Sequence, residues 1–125
     1  MTGTGRQAEQ LEPLPKLAEE LLRIHRETYG KGAHETRAYL LGNSVVCFLE
    51  DLELLPNEEF MLEREMADAV VEIRQRYQEA IGGSFIAAVE RATGRRVTSF
   101  LSRMSVDPHF VVEIFRLAPA AGPFD

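Results

Sequence analysis

The 125-residue sequence has no tryptophan and one cysteine, Cys47, so a disulfide within the chain is impossible. It has no apolar stretch near the roughly 20 residues that a membrane-spanning helix needs, and its first residues lack the apolar core of a signal peptide. A domain of this length buries roughly two-thirds of the surface of its unfolded chain, so its core needs neither disulfides nor metal. We therefore expect a cytoplasmic protein in which Cys47, within an apolar run, is a small buried hydrophobe.

Basic residues are too few for a nucleic-acid partner. The net charge is −6, and between Pro56 and Gly94 eight Asp and Glu residues stand against four Arg. Proteins that bind nucleic acid usually carry a basic patch or stripe that neutralises phosphates. The composition therefore argues against nucleic acid.

Groupings typical of metal or catalytic sites are also missing. The three histidines, His25, His34 and His109, are far apart in the sequence and do not form a metal-binding spacing. Ser44 and Ser99 lack the context of a nucleophile elbow. No catalytic, cofactor or metal-ligating residue is predicted, and the sequence favours a protein that is not an enzyme.

Helical periodicity marks two regions. Apolar residues at helical spacing predict a first helix from Pro15 to Thr28, with the prolines at 13 and 15 near its start and Gly30 ending it. Carboxylate pairs, Glu19 with Glu20 and Glu58 with Glu59, are expected on exposed helix faces.

A second, longer helix is predicted from Glu58 to about Ala92, with Asn57 as a candidate cap. Its expected apolar stripe is formed by Met66, Val70, Ile73, Tyr77 and Ile81, followed by Phe85, Ala88, Val89 and Ala92. The Gly82-Gly83 pair predicts a kink or break, and Gly94 the helix end.

Alternating patterns predict two hairpins. The first pairs a strand beginning at Glu35 with Ser44 to Leu49 around Gly42-Asn43. The second pairs Arg96 to Ser105 with Phe110 to Leu117 around a turn that contains Pro108. The element order favours an α+β two-layer sandwich, in which a four-stranded antiparallel sheet is covered on one face by the long helix.

Both faces of this sheet are predicted to be apolar. Val46 and Phe48 point away from Val45, Cys47 and Leu49, and the last strand shows the same pattern. Either the first helix or another subunit must cover the second face, which favours a homodimer or higher homo-oligomer. We expect one domain over residues 11–117, a flexible N-terminus over 1–10 and a flexible tail over 118–125.

Gly30-Lys31-Gly32 invites comparison with phosphate-binding loops, but it is shorter than a Walker motif and follows a helix instead of a strand. The interpretation we favour is a turn, with Gly30, Gly32, Gly94 and Pro108 as structural turn residues. The alternative is an anion, ligand or partner contact, for which the predicted residues are Lys31, Arg37, Arg95 and Arg96.

Several motifs together resemble the MpsC-like family, over about Ala18 to Leu117. They are Gly30-Lys31-Gly32, the first hairpin, Leu54-x-Pro56-x-Glu58 opening a long helix, Thr93-Gly94-Arg95-Arg96-Val97-x-Ser99-Phe100-Leu101-Ser102, and Val112-Glu113-Ile114-Phe115-x-Leu117. The family consists of small bacterial proteins named after a sodium-translocating, membrane-potential-generating system. Two positions depart from the family pattern, which commonly has threonine at Leu55 and an acid at Arg103.

The resemblance implies an accessory or regulatory interaction protein, peripheral to a membrane transport system and partnered by a membrane protein. The competing hypothesis is a small-ligand or anion-binding module that uses the basic residues. A ligand module needs a concave pocket with convergent basic groups, whereas an interaction protein needs only a surface patch.

Overall fold

The computed structural model of the chain describes residues 11–29, 33–106 and 109–120. Residues 1–10, which we predicted to be flexible, and the predicted turn residues Gly30, Gly32 and Pro108 lie outside these ranges, as does Lys31. Within them the chain forms five strands and three helices: β1 (Glu12–Pro13), α1 (Pro15–Tyr29), β2 (Glu35–Leu41), β3 (Ser44–Glu50), α2 (Pro56–Glu63), α3 (Ala67–Thr93), β4 (Val97–Val106) and β5 (His109–Leu117).

The strands form one antiparallel sheet in the order β1-β2-β3-β5-β4. The α+β class is as predicted, but the sheet has a fifth strand where we predicted four. In β1, Glu12 pairs with Leu40 and Pro13 with Tyr39. Two residues are too few to show an alternating pattern, and a proline, which cannot donate a ladder hydrogen bond, is tolerated at a sheet edge. Helix α1 then begins at Pro15.

Helices α1 and α3 pack on the same face of the sheet. Thr36 Oγ1 on β2 donates a hydrogen bond of 2.8 Å to the carbonyl of Ala18 on α1, and Gln75 Nε2 on α3 donates one of 2.6 Å to the carbonyl of Ser102 on β4. The first helix therefore does not cover the second face, which was one of our two alternatives. The core fills the space between the helices and this face, with fully buried Leu21, Val45, Cys47, Leu49, Phe85, Val89 and Phe115.

The predicted long helix is two helices, and its break is not at the glycines. The chain leaves helical geometry around Glu65, whose φ is 59°, and begins α3 at Ala67. Gly82 and Gly83 lie within the continuous α3. A Cβ atom at Gly82 would lie 3.0 Å from Cε2 of Phe100, so this glycine allows α3 to approach β4 closely.

The helix ends only partly follow the prediction. Asn57 is not the cap of α2: the helix has Leu55 at the N-cap and Pro56 in its first turn, and Glu58 Oε1 accepts a 2.8 Å hydrogen bond from the Leu55 amide. At the other end of α3, Gly94 adopts the predicted left-handed conformation, with φ 69° and ψ 17°.

Candidate interaction surfaces

The predicted basic residues near β4 lie at one end of the sheet. Arg95 donates from Nε to the carbonyl of Ala118 at 2.9 Å and from a terminal nitrogen to Asn43 Oδ1 at 2.5 Å. The Ala118 amide also donates to the carbonyl of Arg96 at 2.8 Å. Residues 121–125 of the tail that we predicted over 118–125 lie outside the described ranges. Arg96 itself is exposed.

Arg37 lies toward the other end of the first hairpin. Its guanidinium donates to Glu50 at 2.5 Å and lies 5.1 Å from the centre of the Phe48 ring. Six residues of strand separate Arg37 from Asn43, the contact of Arg95, which corresponds to roughly 20 Å. The structure therefore does not bring Arg37 and Arg95 together.

A buried ion pair lies between α2 and α3, and sequence reasoning missed it. Arg74 Nε and a terminal nitrogen each lie 2.6 Å from a Glu58 oxygen, with the Arg74 side chain 1% exposed. Burial tends to raise the pKa of Glu58, but hydrogen bonds from Arg74 and from the Leu55 amide hold it below its ordinary value. Our expectation that Glu58 lies on an exposed helix face is wrong, because its side chain turns inward to Arg74.

The other buried titratable groups are held neutral near pH 7. Burial, with the neighbouring charges of Arg74 and Arg26, lowers the pKa of His25 to about 4. Burial raises the pKa of Glu113 to about 8, against the opposing effect of a 3.3 Å hydrogen bond from Ser102 Oγ. Cys47 is fully buried, and burial raises the pKa of its thiol. A neutral, buried thiol is a poor nucleophile.

The described ranges contain no group of three or more His, Cys, Asp or Glu side chains that could hold a metal ion. The same ranges contain no helix that is both long enough and apolar enough to cross a bilayer.

One apolar surface follows α3 and is named here the helix stripe: Met66, Ile73, Tyr77 and Ala80. The first three are 44%, 43% and 49% exposed, although we predicted them to face the core. The residues of α3 that do turn inward are Val70, Arg74, Gln78, Gly82, Phe85, Ala88 and Val89. The prediction therefore holds for Val70, Phe85, Ala88 and Val89 and is wrong for Met66, Ile73 and Tyr77, because in the first half of α3 Arg74 and Gln78 also turn inward.

A groove adjoins the helix stripe. It encloses about 160 Å³ between α2 and α3, and Leu55, Met61, Ile73 and Tyr77 are among its lining residues. Leu55 is therefore both the N-cap residue of α2 and part of the wall of this groove.

The second apolar surface is the side of the sheet opposite the helices, named here the open sheet face. Within the described ranges α1 and α3 pack on the other face. At its β4 edge the open sheet face meets Gln75 and Glu79 of α3, which line a recess with Leu101 and other residues of the face. Tyr39, Val46, Ile114 and Leu101 are in register across β2, β3, β5 and β4, and form one apolar row over these four strands. Leu101 is 63% exposed.

The adjacent row of the open sheet face has a charged residue at each end. It consists of Arg37, Phe48, Val112 and Arg103. Arg103 is exposed at the rim of this face. An apolar centre with a polar rim is the usual anatomy of a protein interface.

Neither the curated proteins nor the solved structures contain a match to this chain. A family model does match, over residues 9–119, and its description is "Na+-translocating membrane potential-generating system (MpsC)". The match covers nearly the whole chain, including all three helices and all five strands described above. The chain therefore belongs to the MpsC family.

Proposed function

We propose that this chain is a non-catalytic accessory or regulatory protein, peripheral to the membrane on its cytoplasmic side, that binds a membrane-protein component of a Na+-translocating system. The family description supports the association with such a system. The buried and neutral state of Cys47, His25 and Glu113 supports a binding role over a catalytic one, because these groups do not reach a substrate at the surface.

The observation that carries the proposal is the helix stripe. A helix that packs on a sheet normally buries its apolar residues and exposes its polar ones. The first half of α3 departs from this rule, since Arg74 and Gln78 are buried beside Val70 while Ile73 and Tyr77 are exposed. Exposed apolar surface costs free energy in water, and a contiguous patch of it often marks a protein contact.

The surroundings of the stripe fit a protein partner. Arg76 borders Ile73, Tyr77 and Ala80, and forms an ion pair of 3.3 Å with Glu72. The adjoining groove between α2 and α3 could receive an apolar side chain of the partner. An amphipathic helix or loop on the membrane protein would supply these contacts.

Site-specific photocrosslinking in native cells tests this proposal. A benzophenone amino acid at Tyr77 should crosslink to a protein of the membrane fraction, whereas the same residue at Glu19, which is exposed on α1, should not. Mass spectrometry identifies the crosslinked protein. Equal crosslinking at both positions, or none at Tyr77, would count against the helix stripe as the contact.

The anion-binding alternative depends on a different set of residues. It requires basic groups that converge, and the sheet separates Arg37 from Arg95. Its test is the melting temperature of the protein in phosphate, nucleotides and bicarbonate. A rise that is lost in Arg96→Ala would support it, and an unchanged melting temperature would remove it.

A homo-oligomer also remains part of our proposal. The helix stripe and the open sheet face lie on opposite layers of the molecule, so one can bind a membrane partner while the other is occupied by a second copy.

A further inference from the structure

We propose that the open sheet face binds a second copy of this chain, in a two-fold dimer whose sheets pack face to face with their strand ends reversed. The dimer does not depend on the function proposed above, which uses the helix stripe on the other layer. Its basis is the residue pattern of the face, its size and the distribution of its charges.

The centre of the face is apolar across the whole sheet. Tyr39, Val46, Ile114 and Leu101 form one continuous row, and Phe48 and Val112 extend it in the next row. Leu101 is 63% exposed and lies on the edge strand β4. Packing against a second sheet at about 10 Å would remove these side chains from water.

The size of the face matches what a dimer needs. Strands about 4.8 Å apart and residues about 3.4 Å apart give these four strands a face of roughly 20 by 25 Å. Two such faces in contact remove on the order of 1,000 Å² of projected surface, and side-chain relief adds to this. That area reaches the lower bound of stable protein interfaces.

The charges of the face differ between its two ends. Glu35 and Glu50 lie at the end of the face where β2 begins, and Arg116 lies at the end where β5 finishes. Glu50 binds Arg37 within the chain, at 2.5 Å. The outermost row at one end of the face therefore carries two acids and the outermost row at the other end carries Arg116, while Arg37 and Arg103 flank the apolar residues in the row next to the acids.

Two symmetric arrangements place one such face on another, and the charges select one. With the two-fold axis along the strands, Arg37 would lie over Arg103 of the partner subunit, which places like charges together. With the axis across the strands, each strand lies over its own copy and the order of the rows is reversed, so Arg116 approaches Glu50 of the partner subunit. Opposite charges then meet at both ends, so we assign the second arrangement.

Sedimentation velocity at about 50 µM tests whether a second copy of the chain binds the open sheet face. The wild-type protein should sediment at the dimer mass, and Ile114→Glu should weaken the dimer at least tenfold by placing a charge at its centre. Leu101→Glu should act in the same way, and its edge position makes it the variant least able to disturb folding. Ser84→Glu, an equal charge on an exposed residue of α3, is the matched control and should remain dimeric.

Three results would overturn the dimer on this face. One is a wild-type protein that sediments as a monomer. Another is a dimer that persists in a folded Ile114→Glu or Leu101→Glu variant, with folding verified by circular dichroism. The last is a dimer that is lost in Ile73→Glu and kept in Leu101→Glu, which would move the contact to the helix stripe.

Cysteine crosslinking with a short bismaleimide tests the arrangement of the two copies. An equimolar mixture of Leu41→Cys and Glu35→Cys proteins should crosslink, because reversed rows bring these positions together. A mixture of Glu35→Cys and Ser105→Cys proteins should not. The opposite result would overturn the assigned axis, and Cys47 does not interfere because it is fully buried.

Discussion

The two halves of helix α3 differ in the side chains that they bury, since only the first half buries long polar ones beside an apolar one. In the second half, Phe85, Ala88 and Val89 face the sheet, as an amphipathic helix requires. In the first half, Arg74 and Gln78 face inward, while Ile73 and Tyr77 are exposed. The second half of the helix therefore packs through apolar side chains, whereas the first half buries Val70 together with Arg74 and Gln78.

The sheet beneath the helix differs in the same way. Under the second half lie Phe100 and Phe115, with ring centres 5.0 Å apart, and the small residue Gly82 lets the helix approach them. Under the first half, Ser102 accepts a hydrogen bond from Gln75 and donates one to Glu113. The comparison teaches that the first half of the helix meets a polar region of the sheet, whereas the second half packs on aromatic rings.

The largest loss of stability is expected from a substitution in the second half of α3, which packs through apolar side chains. Phe85→Ala removes a fully buried ring and should lower the free energy of unfolding by about 4 kcal/mol, since both transfer and cavity costs apply. Urea unfolding measures the change. A loss below about 1 kcal/mol would mean that this half is not the main hydrophobic anchor of the helix.

The second largest loss of stability is expected when the buried ion pair at the first half of α3 is broken. Glu58→Leu leaves the Arg74 guanidinium buried without its carboxylate partner, and we expect a loss of about 3 kcal/mol. The double variant Glu58→Leu with Arg74→Met removes both charges and should recover much of this loss in the same urea experiment. If the double variant is as unstable as the single one, the cost is lost packing and capping, and not an unpaired charge.

A smaller change in stability is expected with pH and is caused by Glu113, which lies beneath the first half of α3. Its pKa is raised to about 8 in the folded protein, so near neutral pH the folded state holds a proton that the unfolded state has lost. Stability should therefore fall as the pH rises toward 8, by about 2 kcal/mol from pH 6.5. Glu113→Gln should abolish this fall.

Urea unfolding at several pH values between 6.5 and 8.5 measures the slope for both proteins. His25, whose pKa is lowered to about 4, affects stability in the opposite direction and only below its ordinary pKa of 6.5, so this window separates the two groups. An equal slope in wild type and Glu113→Gln would assign the pH dependence to another group.

The smallest effect on stability is expected on the helix stripe. Ile73→Ser changes a 43% exposed side chain and should alter the free energy of unfolding by no more than about 0.5 kcal/mol. The same substitution should weaken capture of the membrane partner crosslinked at Tyr77. A loss of stability comparable with that of Phe85→Ala would show that this side chain is structural and that the two halves are alike.

Local sequence signals predicted much of the fold. Alternating residues identified both hairpins, and glycine identified the end of α3 at Gly94, because these signals act within a few residues of the chain. The short edge strand β1 escaped prediction, since two residues have no period. The break near Glu65 escaped as well, because no glycine or proline marks it.

The candidate surfaces were only partly predictable. The alternating apolar pattern of β3 and β5 implied two apolar sheet faces, and the open sheet face is one of them. The helix stripe was predicted as core, since Met66, Ile73 and Tyr77 have the residue types and spacing of a buried face. Which side of a helix turns inward depends on the partners it meets, and Glu58 is 16 positions from Arg74 in the chain.

The sequence by itself determined the family, the α+β class, the hairpins and the apolar character of both sheet faces, because periodicity and turn residues are local properties. Tertiary structure alone decided that α1 and α3 share one face, that Arg74 and Glu58 are buried together, and that Arg37 lies apart from Arg95. These outcomes depend on contacts between segments that are distant in the sequence. The free-energy cost of burying a charged side chain, for example, is offset only when another segment of the fold supplies a partner of opposite charge.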